Sequence, residues 1–271
     1  MPVISKRGFL QLSVNAAAAL GGCVCCSAAS RAESDGCLLS QEEFDRIHPV
    51  GTTSYKIDGR EEVILKSGIP ELDIALVQTL VKLVDVFQVH PGFAFYDDGD
   101  SPNAYATNST RLNGADGTVL QGLNDLRNAF KTYQHPDVAI ATTLAHEFGH
   151  ILQYKRRLFA VVNAGRSTKV RSEIQADFLA GYFIGLRKRE RPSLPAAIAA
   201  LSLYDIGSSD RDSRSHGTAK ERGEAFEHGY DAGFRRAADL DTVVSERKRP
   251  RRSTLLPMKR CTGGPKGDVF T

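Results

Sequence analysis

Apolar positions recur at three- to four-residue spacing along much of this chain. Leu72, Ala75, Leu76, Leu80, Leu83 and Val84 form one such stripe, and Pro70 suits the first turn of a helix, so the pattern predicts a helix from Pro70 to about Phe87. Pro91-Gly92 then interrupts. Phe93-Ala94-Phe95-Tyr96 reads as a short strand ending in the turn-rich run Asp97-Asp98-Gly99-Asp100. Asn103–Thr107 is a second strand candidate, and Thr118-Val119-Leu120 a third, returning after the turn Asn113–Gly117. A helix is expected over Leu123–Tyr133, and another from Pro136 to about Phe159, with Leu144, Phe148, Ile151 and Leu152 on its apolar face. Asp137 lies at the positive end of that helix, and Lys155, Arg156 and Arg157 at its negative end. Further helices are predicted at about Val170–Lys188, Pro195–Tyr204 and Lys220–Leu240. Residues 33–66 are polar with short apolar pieces and set no clear pattern.

The chain has 271 residues, 41% apolar and 25% charged, without tryptophan, which suits one globular domain with appendages. The net charge of +3 owes itself to Lys6, Arg7 and Arg31. Removing those three from 35 basic residues leaves 32, against 32 acidic ones. Nothing in this balance points to nucleic acid. A local excess remains in the tail, where Arg247, Lys248, Arg249, Arg251, Arg252, Lys259 and Arg260 crowd together. Residues 245–271 are expected to be a basic, disordered tail; binding to an anionic lipid or polymer is its functional alternative.

Lys6 and Arg7 precede a small and apolar stretch, Gly8–Ala29, with the form of an export signal. Ser5-Lys6-Arg7-Gly8-Phe9-Leu10-Gln11 resembles a twin-arginine signal with Lys in the first position. Two processing sites remain open. Leu20-Gly21-Gly22-Cys23 looks like a lipobox that would lipidate Cys23 and attach the protein to a membrane. Ser30-Arg31-Ala32 suits ordinary cleavage. The second leaves Cys37 and Cys261, either as a disulfide or as two thiols. The expected organisation is therefore residues 1–32 as export signal, 33–66 as an N-terminal segment, 67–244 as the functional domain and 245–271 as tail. The expected location is outside a bacterial cytoplasm, periplasmic or extracellular.

The chemistry concentrates in Ala145-His146-Glu147-Phe148-Gly149-His150. Two histidines four apart share one helix face and can reach a single metal ion, while the intervening Glu147 can reach a water without binding the metal. A catalytic zinc takes three protein ligands and keeps one position open. The third candidate is Glu173, in Ser172-Glu173-Ile174-Gln175-Ala176-Asp177, on a helix that can return antiparallel to the first. Asp177, four residues on, is expected to accept a hydrogen bond from a ligand imidazole, His146 in particular.

With these residues in hand, the chain resembles the gluzincin metallopeptidases, which pair His-Glu-x-x-His with a Glu on a following helix. It is similar to the bacterial neutral zinc metallopeptidase group, in which Glu-Leu-Gln-Ala-Asp follows the zinc helix. This chain has Glu173-Ile174-Gln175-Ala176-Asp177 there, and His216-Gly217 through Arg222, Phe226 and Gly229 resembles a later motif of that group. A weaker likeness, to prenyl-protein endopeptidases, rests on Asn103-Ala104-Tyr105-Ala106-Thr107 and Gly122-Leu123. The resemblance covers about residues 90–235. It implies an α+β, mainly helical, zincin-like fold, with a small antiparallel sheet beside the zinc helix and the Glu-bearing helix. It implies one Zn2+ per chain held by His146, His150 and Glu173, with Glu147 as general base. It also implies oxyanion support from His216, with Arg222 as a partner, and a substrate-pairing edge at Asn103, Ala104, Tyr105 and Ala106.

The expected activity is zinc-dependent hydrolysis of peptide bonds, with a peptide or protein as partner and no nucleic acid. Two alternatives stay open: a non-catalytic zinc-containing anchored binding protein, and a zinc amidase acting on cell-wall peptides.

Overall fold

A computed structural model describes residues 37–57, 66–165, 168–206 and 216–246. The export signal, Cys23, Cys261 and the basic tail beyond residue 246 lie outside the described residues.

The element order is α1 (Gln41–Ile47), β1 (Tyr55–Lys56), α2 (Pro70–Phe87), β2 (Gly92–Tyr96), β3 (Ala104–Thr107), β4 (Thr118–Gly122), α3 (Leu123–Thr132), α4 (Pro136–Lys155), α5 (Phe159–Val162), α6 (Val170–Glu190), α7 (Ala196–Ile206), α8 (Ala219–Phe234) and α9 (Leu240–Glu246). The class is α+β and mainly helical. The sheet is mixed rather than antiparallel, in the order β1-β2-β4-β3. Strand β4 runs antiparallel to β3, as a hairpin return must, but inserts itself beside β2 in parallel, with Phe93 opposite Val119. Hydrophobic alternation does not distinguish these pairings, since β2 and β4 are buried on both faces. No helix among the described residues is long and apolar enough to cross a membrane.

Several elements are legible in their local chemistry. Helix α1 opens with a capping box: Ser40 Oγ accepts from Glu43 N while the Glu43 carboxylate accepts from Ser40 N. Asp98 caps α3 from outside the helix, accepting from Asn124 N at 2.7 Å and Asp125 N at 2.9 Å. Helix α4 stops at Lys155 instead of running to Phe159. Arg157 adopts φ +52°, and Leu158 N donates back to Gln153 O, closing the helix with a left-handed turn. The helix expected over Lys220–Leu240 likewise stops short, at Phe234; Ala237 takes φ +46°, and the separate α9 begins at Leu240. Neither stop carries the glycine that usually marks such a turn.

The main core runs from α2 through α4 to α6 and α8, with Phe87, Phe148 and Phe183 gathered at its centre. Helices α6 and α8 pack unusually close because glycines face backbone across the contact. A Cβ on Gly229 would lie 1.8 Å from Phe178 O, and one on Gly181 would lie 2.1 Å from Phe226 O. Gly185 and Gly233 extend the seam one turn further. Replacing Gly229 by Ala must therefore push two helix backbones apart. We expect Gly229→Ala to lower stability by about 3 kcal/mol or more, read from the midpoint of urea unfolding; an unchanged midpoint would refute the close approach.

Candidate metal centre

Helix α4 brings His146, Glu147 and His150 to one buried face, and α6 runs alongside it. Gly149 permits that approach, since a Cβ there would stand 3.3 Å from Ala176 Cα. Phe148 points the other way and is fully buried in the core. The four-residue spacing thus presents the two imidazoles to α6 while anchoring α4 through its opposite face.

His146, His150 and Glu173 converge within metal-binding distance. The two Nε2 atoms are 3.1 Å apart, and Glu173 Oε2 lies 3.2 Å from one and 3.3 Å from the other. Nitrogen and oxygen donors held at about 2.0–2.1 Å from a tetrahedral ion stand roughly 3.3 Å apart, so these three atoms have the mutual spacing of ligands. All three side chains are essentially excluded from solvent.

The other ring nitrogens decide what the converging atoms carry. His146 Nδ1–H donates to Asp177 Oδ1 at 2.9 Å, since an ionised carboxylate can only accept. Gln153 Nε2 donates to Ser172 O at 2.8 Å, which turns Gln153 Oε1 toward His150 to accept from its Nδ1–H at 2.9 Å. In their neutral, metal-binding form both rings carry their proton on Nδ1 and aim an Nε2 lone pair at the meeting point. Glu173 adds a carboxylate oxygen there, and its Oε1 has no hydrogen-bond partner. Three donor atoms facing one another in a buried space are compatible with a metal ion between them. The residues present fit a metal ion on this ground.

The same arrangement also favours a proton, which competes with a metal ion for the place between His146 and Glu173. Burial opposes charge on His146, but Asp177, with hydrogen bonding to Glu173, outweighs it and pushes the pKa up to about 10. Burial likewise opposes ionisation of Glu173, yet His150 and His146 hold it well below the usual carboxylate range. Burial raises Glu147 to about 7, moderated by the two histidines. Its Oε2 is buried with no hydrogen-bond partner.

Asp177 is itself held from α8. Arg222 Nε donates to Asp177 Oδ2 and Nη2 to Oδ1, both at 2.9 Å, a two-pronged pair at 1% exposure for the arginine. Burial would raise the Asp177 carboxyl, but Arg222 and then His146 hold it down. The chain of contacts runs Arg222 to Asp177 to His146. Arg222 thus acts through Asp177, where the resemblance suggested His216 as its partner.

His216 reaches the site from the start of α8 and is 8% exposed. Its Nε2 lies 3.4 Å from Cys37 Sγ, and the ligand atoms of Cys37, Glu173 and His216 are all within 4.8 Å of one another. Cys37, Glu147 and His146 form a second such group. Cys37 has no disulfide to a described residue and is buried; burial, then the charges of Glu147 and Glu173, push its thiol up.

The strand expected to pair with substrate is present in part. Ala104, Tyr105 and Ala106 belong to β3 at the edge of the sheet. Asn103 precedes the strand and serves structure: its carbonyl accepts from Tyr96 Oη and Gly122 N, while its Oδ1 accepts from Ala104 N. The outer side of Ala106 is taken. Leu39 N donates to Ala106 O at 3.1 Å, and Ala106 N donates to Cys37 O at 2.9 Å.

Two residues at the centre escaped the reading of the sequence. Gln153 lies three residues beyond His150 on the same face, and that spacing was its only signal. Cys37 lies 109 residues before His146 and carried none.

No family model, curated protein or solved structure matches this chain. What its fold and site define is a mainly helical α+β protein with a buried His-His-Glu ligand set. The likeness to gluzincins rests on the residues quoted for it.

Proposed function

We infer that this protein is a zinc-dependent endopeptidase with a zincin-like arrangement of α4, α6 and the sheet. The observation that carries this reading is the convergence of His146 Nε2, His150 Nε2 and Glu173 Oε2 beside a buried, unpartnered oxygen of Glu147. Nitrogen and carboxylate donors of this kind suit zinc, while calcium and magnesium prefer all-oxygen sets. Bound by these three residues, zinc would supply a Lewis acid that polarises a carbonyl and acidifies water.

The chain's own groups do the rest. Glu147 accepts a proton from the attacking water and delivers it to the leaving amine. Glu147 is one residue from His146, so it faces the ligand set without belonging to it. His216, whose Nε2 lies 3.4 Å from Cys37 Sγ, would donate to the oxyanion. Strand β3 would orient an extended peptide through the backbone groups of its outer edge, which residues 37–39 cover at Ala106 in the structure. Asp177 and Gln153 fix the imidazole tautomers.

The test is cleavage of unfolded casein, run with the native chain and, because Cys37 sits at the centre, with Cys37→Ala. Activity is expected to vanish on chelation, return with zinc, and be lost together with the metal in His150→Ala. Activity that survives exhaustive chelation would refute the reading. Cleavage of cell-wall peptides but not casein would move the assignment to an amidase, and stoichiometric zinc without any hydrolysis to a binding protein.

A further inference from the structure

We propose that residues 37–39 form an internal latch: Cys37 Sγ takes the remaining ligand position of the metal centre while the segment occupies the substrate edge of β3. The inference rests on the metallopeptidase reading above and says how that site is regulated.

Two independent observations carry it. The first is backbone pairing. Leu38 bridges Ala106 in parallel, with Ala106 N donating to Cys37 O and Leu39 N donating to Ala106 O. Thr107 Oγ1 adds a hydrogen bond to Leu39 O at 3.3 Å. The segment is thus added as a short strand to the edge of the sheet, the way an extended peptide ligand is bound. Helix α1 follows at once, and Phe44 packs with Leu39, Ala94, Tyr96 and Leu120 in a small core of its own. That core fixes where the latch ends.

The second is the place of the sulfur. Cys37 is 7% exposed, and its Sγ lies within 4.8 Å of ligand atoms of Glu173 and His216 in one group and of His146 and Glu147 in another, at the border of the His146-His150-Glu173 set, so a short shift of the sulfur on metal binding would bring it into the fourth position. Two of those neighbours, Glu147 and Glu173, each hold a buried oxygen without a hydrogen-bond partner, which a cation bound nearby would satisfy. A thiolate is a strong zinc ligand, and one at this place converts an open centre with three protein ligands into a closed one with four. With the sulfur seated, the position that water needs is filled. With Cys37 O and Leu39 N on Ala106, a substrate strand has no edge to pair with. Both obstructions lie in one short segment, so a single displacement removes them together.

Release has a structural requirement. The latch can leave β3 without disturbing His146, His150 or Glu173, because those residues belong to α4 and α6 and are held by Asp177, Gln153 and Arg222. Cleavage of the chain before α1, or competition by a tightly pairing peptide, would free the centre.

The experiment uses the full chain loaded with cobalt in place of zinc. The native protein is expected to bind one cobalt per chain and show the near-ultraviolet charge-transfer band of a sulfur ligand. Cys37→Ala and Cys37→Ser are expected to bind cobalt equally and lack that band. In the zinc forms, both variants should cleave casein at least about tenfold faster than the native chain, the order of effect expected for freeing a ligand position worth about 1.4 kcal/mol or more. Alkylation of Cys37, mapped by mass spectrometry, should be slow with metal bound and fast after chelation. Stoichiometric cobalt with no sulfur band in the native chain overturns the latch and leaves the metallopeptidase reading standing. A band with no gain in cleavage on replacing Cys37 overturns the inhibitory role. Failure of every chain to bind cobalt overturns both readings.

Discussion

Glu147→Gln is expected to keep its metal and lose hydrolysis by a factor of about 10²–10⁴ in kcat, the range that general acid–base groups supply. The substitution preserves shape and removes only the ability to take up a proton. It leaves His146, His150 and Glu173 in place, so the metal content should equal that of the unmodified chain. Stability should not fall, because the replaced carboxylate is 1% exposed with one oxygen lacking a partner, and neutralising it relieves a buried charge. Measuring kcat, metal content and Tm together, in the Cys37→Ala background as well as the native chain, separates this from a folding defect. Full activity in Glu147→Gln would show that another group handles the proton.

The second large effect is expected at Arg222, which touches none of the converging ligand atoms directly. Arg222→Met removes the two-pronged partner of Asp177 and leaves that carboxylate buried with only His146 beside it. Stranding one member of a buried ion pair costs about 3–5 kcal/mol. For a chain of this size that is a fall in Tm of about 6–20 °C. Loss of the carboxylate's orientation should also weaken metal affinity by about 10–100-fold, because His146 is no longer held in its tautomer. The loss should shrink when Asp177→Asn is already present, since the stranded charge is then gone. Equal losses in both backgrounds would mean that Arg222 supports the fold by packing alone.

The helices and the ligand set were largely legible from residue order. The spacing of His146 and His150 on a periodic helix, and of Glu173 and Asp177 on the next, places four side chains on two faces that can meet. What stayed hidden depends on contacts between distant segments. The parallel insertion of β4 beside β2 leaves no trace in a doubly buried strand. The stops at Arg157 and Ala237 use left-handed backbone at residues that seldom adopt it. Gly181, Gly185, Gly229 and Gly233 recur four apart in two helices, but only the packing shows that they face each other. Arg222 was read toward His216, its neighbour in sequence, and lies instead on Asp177. Ser40 and Glu43 carried a capping-box signal for α1, which residues 33–66 obscured by their lack of apolar periodicity. Cys37 entered only as a disulfide candidate, because nothing local ties it to a helix a hundred residues away.

The account turns on one cation being shared by two imidazoles and a carboxylate. The most direct measurement is the metal content of the purified chain beside that of Glu173→Ala after identical dialysis against zinc. One zinc per chain in the former and almost none in the latter is the predicted result. Equal zinc in both, or none in either, would contradict it.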